Sequence, residues 1–436
     1  MLLAYLVVAG MFGGGAATWG LAYGALSLAT LLFATLVAWR GGGSGLAQAP
    51  AAARIALLGI AILPLVQLVP LPPGLWQSLP GQALRMQTMA VVGLADTWQP
   101  MTLEPVSTAL VAILAIGFVA LVDALLRLTD AQFRRVFQVS FGLVLLGIAI
   151  GLLQVVSDGA FPRFHSAKMG ATMLGFFANK NHMALAIACS VLLFGLIISG
   201  DAIDRRKRLA VVGGYIVFAF VCVVTTNSRA GLALTGLAAL IVLATLIKGI
   251  TLRWRLLAAL VTVVAVAAVL STSAFEQVSG RLDDIDSDNR WRIVQWSWPL
   301  AERHGLIGSG LGSYATLFTT HEQLSWVKPT FVNAVHNEYL QLVIETGLPG
   351  VVLALALVVS CLPCATALLR APTRSPRRTE MVAGFAILLL FALHSVVDYP
   401  LRRPSAWILF AVGLAAVYRN CRRRWAGSRA AEPDPA

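Results

Sequence analysis

His336-Asn337-Glu338-Tyr339-Leu340 is followed at short spacing by Gln341, Glu345, Gly347 and Gly350. The stretch sets an imidazole, two carboxylates, amides and a phenol beside an apolar run that reads as a membrane span. Such groups cost several kcal/mol each in hydrocarbon, so an ionisable cluster at a membrane boundary marks a functional site by default. Imidazole is the side chain whose ordinary pKa lies nearest neutrality, so His336 suits a general base that takes a proton from a hydroxyl. The alternative is an amphipathic histidine at a membrane surface. If residues 336–346 are helical, Glu338, Gln341 and Glu345 share one face by their i, i+3, i+7 spacing, with His336 on a neighbouring face. Glu338 or Glu345 would then orient a base or a sugar hydroxyl. Gly347 and Gly350 would permit close packing or a break in the helix.

Three other polar clusters carry cations. Thr225-Thr226-Asn227-Ser228-Arg229 forms a tight turn between two apolar runs. Arg229 there is either an anion ligand among hydroxyl and amide donors or an anchor whose stem lies in lipid. Asn289-Arg290-Trp291-Arg292 precedes Trp296 and Trp298. Arg292 and Trp296 are i, i+4 neighbours on a helix, open to cation–π contact; a solvated basic helix at the interface is the competing reading. Asn179-Lys180-Asn181-His182 opens another apolar run, with Arg163, His165 and Lys168 just before it. It is either a site or ordinary polar dressing of a span mouth. Guanidinium forks pair bidentately with phosphate oxygens, so cations converging from separate loops suit a pyrophosphate. A transferase that expels a pyrophosphate leaving group needs such charge stabilisation.

The elements that must position these residues are membrane helices. Of the 436 residues 58% are hydrophobic and 12% charged, too apolar for a soluble globular protein. Apolar runs long enough to cross a bilayer are expected at about 2–18, 20–39, 55–73, 106–126, 137–155, 183–199, 210–226, 231–247, 256–272, 347–368, 380–397 and 405–418. The expectation is an all-α polytopic protein of about twelve transmembrane helices. The short alternating segments of a β-barrel do not occur. The chain divides into nine helices over 1–272, a long outer loop over 273–346 that carries part of the site, three helices over 347–418, and a basic tail over 419–436. Most Lys and Arg fall on the side of Arg205-Arg206-Lys207-Arg208 and Arg422-Arg423-Arg424, so that side and both termini are expected to be cytoplasmic. The N-terminus lacks a basic region and a cleavage site, and reads as a retained span. The net charge of +13 is then topology and attraction to anionic lipid, not a nucleic-acid surface.

Smaller signals resolve to bland readings. The five cysteines lie in spans or on the cytoplasmic side, and Cys361-Leu362-Pro363-Cys364 reads as small apolar packing. Asp284-Ile285-Asp286-Ser287-Asp288-Asn289 opens like a calcium loop, but Asn289 replaces the required glycine and Gln295 the closing glutamate. No metal is expected. His394 and Asp398, i, i+4 at an outer span end, could form a hydrogen-bonded pair, or Asp398 could pair with Arg402 or Arg403.

With these residues in view, the chain resembles the bacterial O-antigen ligase family, which also contains O-antigen and exopolysaccharide polymerases. The resemblance rests on His336-Asn337-Glu338-Tyr339-Leu340 with Glu345, Gly347 and Gly350, on Ser228-Arg229, and on Arg292 with Trp296 ahead of Gly308-Ser309-Gly310-Leu311-Gly312. Asn181-His182 and Asp398-Tyr399-Pro400 add to it. It spans roughly residues 175–404. It implies a GT-C-like glycosyltransferase of the bacterial inner membrane with a periplasmic active site, acting without a metal or other cofactor in lipopolysaccharide biosynthesis. The implied donor is an undecaprenyl-pyrophosphate-linked glycan. The implied acceptor is a sugar hydroxyl of lipid A–core for a ligase, or a second lipid-linked repeat for a polymerase. Carried over, Arg229 and Arg292 or Arg290 hold the pyrophosphate, and His336 activates the acceptor. Lys180 and His182 are added as donor ligands, and Asn337, Glu338, Tyr339 and Glu345 as acceptor-orienting residues. A lipid-linked oligosaccharide transporter would need ionisable residues at mid-span, where this chain has almost none.

Overall fold

The computed structural model describes residues 1–15, 21–41, 43–165, 171–199, 203–246, 286–327, 332–372 and 375–421. It is a polytopic all-α membrane protein. The helices are α1 (Leu2–Phe12), α2 (Leu21–Trp39), α3 (Ala51–Gln67), α4 (Pro73–Trp76), α5 (Ala83–Val91), α6 (Pro105–Leu126), α7 (Asp130–Val156), α8 (Lys180–Ser199), α9 (Arg205–Thr225), α10 (Arg229–Leu246), α11 (Asp286–His304), α12 (Tyr314–Thr319), α13 (Glu338–Ser360), α14 (Leu362–Arg370), α15 (Pro376–His394) and α16 (Pro404–Cys421). One two-stranded ribbon pairs Pro70–Leu71 with Gln99–Pro100. Among the described residues six stretches are long and apolar enough to cross a membrane: α6, α7, α8, α9, α10, and α13 with α14. Each expected span coincides at least in part with a helix, except that over 256–272, which lies outside the described residues.

Local chemistry starts the helices. Thr129 and Gln132 form a reciprocal capping box at the start of α7. The Asp204 carboxylate accepts from the Arg206 amide at α9, and the Ser228 hydroxyl from the Gly231 amide at α10. Because successive spans alternate in direction, α8, α10, α13 and α16 begin at the end of the bundle where α9 and α15 finish. Cross-links fix that end: Met173 N donates to Thr225 O (3.2 Å), and Glu338 N donates to Ser395 O (2.9 Å). At the opposite end Arg419, the first residue of the stretch expected as a basic tail, lies buried in the last turn of α16. It donates to the carbonyls of Leu125 and Leu128 and to Asp130, with its guanidinium 4.4 Å over the Phe133 ring. Phe133 offers a π face and the end of α6 its orphan carbonyls, which together make burial of this cation tolerable. Cys361 and Cys364 donate to the carbonyls of Leu357 and Ser360, as small packing residues do.

Two cores differ in physics. The large one joins α1–α3, α6–α10 and α14–α16 and is held within lipid by close packing. The small one gathers Ile293, Leu300, Tyr314, Leu317, Phe318, Val335, Leu340 and Ile344 between α11, α12 and the start of α13. There, outside the spans, the hydrophobic effect holds the pieces together.

The two regions meet at a break in α13. The span expected from residue 347 belongs to a helix that begins at Glu338 and interrupts itself at Gly347, with φ 59° and ψ −156°. Only glycine enters that region readily. Leu348 N donates to Leu306 O instead of within the helix, and Pro349 has no N–H to give to Glu345 O. The Glu345 carbonyl therefore takes bonds from Gly310 N (3.0 Å) and the buried Gln67 side chain (2.9 Å). The Gln67 amide oxygen in turn accepts from Leu311 N. One missing donor thus pins the 306–311 loop and the end of α3 across α13. A Cβ on residue 347 would lie 2.6 Å from the backbone of Ile307. Gly347→Ala is expected to cost about 1–3 kcal/mol in strain alone, and more with the overlap. A thermal melt of the purified protein in detergent should move down by several degrees; an unchanged midpoint would show the break to be relaxed.

Candidate active site

His336 is not on the helix that the spacing suggested. Asn337 is the cap of α13: its side chain accepts from Leu340 N (2.9 Å) and donates to Val396 O (3.1 Å). His336 precedes the cap with φ 58°, a left-handed conformation rare for a side-chain-bearing residue. That turn aims the imidazole at the 395–403 connection. Its Nδ1 lies 3.5 Å from Asp398 Oδ1, with a fifth of the side chain still exposed.

Asp398 is the fully buried centre of the cluster. Asn179 Nδ2 donates to both carboxylate oxygens (3.0 and 3.1 Å), Asn181 Nδ2 to Oδ2 (2.6 Å) and Tyr399 N to Oδ1 (2.9 Å). His182 Nε2 stands 3.5 Å from Oδ1, the same oxygen that His336 approaches. The Tyr399 ring meets both imidazoles edge-on, at 5.1 Å from each. Burial pushes the Asp398 carboxyl upward, but the hydrogen bonds and charges of His182 and His336 outweigh it and hold it well below the usual carboxylate range. The carboxylate is therefore ionised and can stabilise an imidazolium on His336. Expected partners of Asp398 were His394, Arg402 or Arg403. Only the backbone links it to His394, through Asp398 N to His394 O, and the two arginines bond elsewhere.

Arg402 takes the two glutamates. Its Nε lies 3.0 Å from Glu338 Oε1 and its Nη1 2.5 Å from Glu345 Oε2. Glu338 Oε2 also accepts from Leu401 N, and Glu345 Oε1 from Tyr314 N and Gln341 Nε2. Glu338, Gln341 and Glu345 do share a face, but that face is turned to protein and saturated. Burial works against the charge on Arg402, yet Glu345 and Glu338 more than offset it and raise its pKa. Tyr339 donates to Ala392 O (2.8 Å) from a half-exposed position. Asn337, Glu338, Tyr339 and Glu345 thus tie α13 to α15 and the 400–403 turn.

The expected donor ligands are distributed differently. Arg229 is exposed at the start of α10, after Asn227 at φ 54°. Lys180 begins α8 at the same end and is partly exposed, as is Arg290 on α11, whose charge is felt at His394. Arg292 is exposed on α11. His182 is 1% exposed, packed among Phe177, His394 and Tyr399. It reaches any ligand through Asp398 and not by contact. Sequence reasoning missed the Asn179–Asp398 bond, the Arg402 bridge, Gln67 and the burial of Arg403. The run Asp398-Tyr399-Pro400-Leu401-Arg402-Arg403 was the visible signal, since three charges in six residues at a span end must find partners.

Among the described residues no group of three or more His, Cys, Asp or Glu is arranged to hold a metal ion. Asp284 of the calcium-like run lies outside them, and Asp286 and Asp288 are in the first turn of α11. The geometry offers one oriented, partly exposed imidazole backed by an ionised carboxylate, at the end of the bundle where Lys180 and Arg229 begin their helices.

The family model described as O-Antigen ligase matches residues 214–355, from within α9 into α13. It takes in Arg229, Arg290, Arg292 and His336 through Glu345; Asp398, Arg402 and Arg403 fall beyond it. No curated protein matches the chain. The match supports the O-antigen ligase family, glycosyltransferase-like enzymes that act on glycans and include both ligases and polymerases.

Removing Arg402 would leave two buried carboxylates without a counter-ion, a loss of about 3–5 kcal/mol. Arg402→Met is expected to lower the yield of monodisperse protein sharply, and Arg402→Lys to recover part of it. Full stability of the Met variant would show the glutamates to be protonated or solvated.

Proposed function

We propose that the chain is an O-antigen ligase, which transfers a glycan from undecaprenyl pyrophosphate to a sugar hydroxyl of lipid A–core at the periplasmic face of the inner membrane. The observation that carries this reading is His336, aimed by a strained backbone at an ionised, fully buried Asp398 and still partly exposed. Support comes from the family match and from four cations, Arg229, Lys180, Arg290 and Arg292, at the same end of the bundle. Both termini are then cytoplasmic, and the cap built from residues 68–104, 157–165, 171–179, 286–327 and 332–337 is periplasmic.

In this reaction the free Nε2 of His336 takes the proton of the acceptor hydroxyl as its oxygen forms a bond to the anomeric carbon. The bond from that carbon to the donor's pyrophosphate oxygen breaks, with inversion. The charge that develops on the pyrophosphate falls to Arg229 and to Arg290 or Arg292. Asp398 stabilises the imidazolium, and His182, Asn179 and Asn181 keep the carboxylate in place. Proton transfer of this kind is worth about 100- to 10,000-fold in rate. The resemblance carries the expectation that no metal takes part.

His336→Ala should abolish transfer while the protein stays folded in the membrane, and Asp398→Asn should lose about 100-fold or more. Normal glycan attachment in either variant would remove that residue from the mechanism. Purified protein reconstituted with undecaprenyl-pyrophosphate glycan and lipid A–core in EDTA should join the two. Growth of the lipid-linked glycan itself, with the core left bare, would identify a polymerase instead.

A further inference from the structure

Arg403 is a buried cation without a counter-ion among the described residues. It is 4% exposed, and its guanidinium lies 5.1 Å over the face of the Tyr399 ring. It shares a hydrogen bond with Tyr399, but its Nη1 has no partner among the described residues. Neither it nor any described carboxylate forms an ion pair with the other. Asp398 is bonded by Asn179, Asn181 and Tyr399 N, and Glu338 and Glu345 are taken by Arg402, the adjacent residue. A desolvated guanidinium with an unmatched N–H is costly in the empty protein. The same feature makes it preorganised for an anion, because its dehydration cost is already met on folding.

The location narrows the anion. Tyr399 is a neighbour of both Arg403 and the base: its ring centre is 5.1 Å from the guanidinium carbon and 5.1 Å from the His336 ring. In an inverting displacement the base and the leaving group lie on opposite sides of the reacting carbon, so a leaving-group ligand stands near the base without pairing with it, as Arg403 does beside the Tyr399 ring that both contact. A cation serving a carboxylate on the acceptor sugar would instead belong beside His336. We propose that Arg403 is a ligand of the donor's pyrophosphate, holding one phosphate oxygen through Nη1. This rests on the donor reading above and adds to the exposed arginines a buried one that sets the depth of the phosphate.

Binding of undecaprenyl pyrophosphate, undecaprenyl monophosphate and inorganic pyrophosphate to the purified full-length protein in detergent tests it, by titration calorimetry on wild type, Arg403→Met and Arg403→Lys. Arg403→Met is expected to weaken undecaprenyl pyrophosphate by about tenfold or more, as for one lost charge-assisted hydrogen bond. Arg403→Lys keeps the buried charge without the fork and should fall between. If the Met variant does not purify as a single species, the Lys variant carries the comparison. Unchanged affinity in the Lys variant, or in both, overturns the role of Arg403 and leaves the donor reading intact. A wild-type protein that binds no lipid pyrophosphate overturns the donor reading itself. Dependence on Arg403 for inorganic pyrophosphate alone would make it a free-anion site and overturn the proposal.

Discussion

Three carboxylates are buried at one end of this bundle, and each is tolerable there only because its oxygens are met by fixed donors. Asp398 is answered by two asparagine amides, a backbone N–H and two imidazoles. Glu338 and Glu345 are answered by a single guanidinium, with backbone and amide donors completing the set. Donors come from the start of α8, from α12, from α13 and from the 395–403 connection. Satisfying the charges therefore fixes the relative positions of those segments, and the exposed imidazole inherits its orientation from them.

The break at Gly347 feeds the same arrangement. Because Pro349 cannot donate, the carbonyl of Glu345 is free to hold Gly310 and Gln67. That bond lays the 306–311 loop over α13 and keeps water from the Glu345 side chain, which is fully buried. A continuous helix would have satisfied its own carbonyls and left the glutamates facing lipid or solvent. The backbone irregularity and the buried ion pairs support each other: the loop covers the Glu345 side chain, and the glutamates hold Leu401 N and Arg402 of the 400–403 turn.

Function follows from the contrast between saturated and unsaturated groups. Glu338, Glu345, Arg402 and Asn337 have their bonding capacity used within the protein, and they act as framework. His336 keeps a fifth of its side chain exposed, and among the described residues Arg403 keeps one N–H without a partner. Division of labour between neighbours as close as Arg402 and Arg403 is decided by which carboxylates are within reach, not by residue type.

Hydropathy alone determined the membrane class, most of the helices, and the gathering of His336, Arg229, Lys180 and Arg290 at one end, because span length and alternation of direction are one-dimensional properties. The shared face of Glu338, Gln341 and Glu345 was likewise legible from helical spacing. Which residues act and which support was not. His336 was read onto a helix because nothing in its neighbours announces a left-handed backbone at the residue before a cap. Asp398 was assigned to His394 or the arginines by nearness in sequence, while its actual partners lie over 200 residues away on α8 and its approach. A buried charge bonds to whatever donor the packing brings within about 3 Å. Only the tertiary structure sets that, so it decided the partners of Asp398 and Arg402.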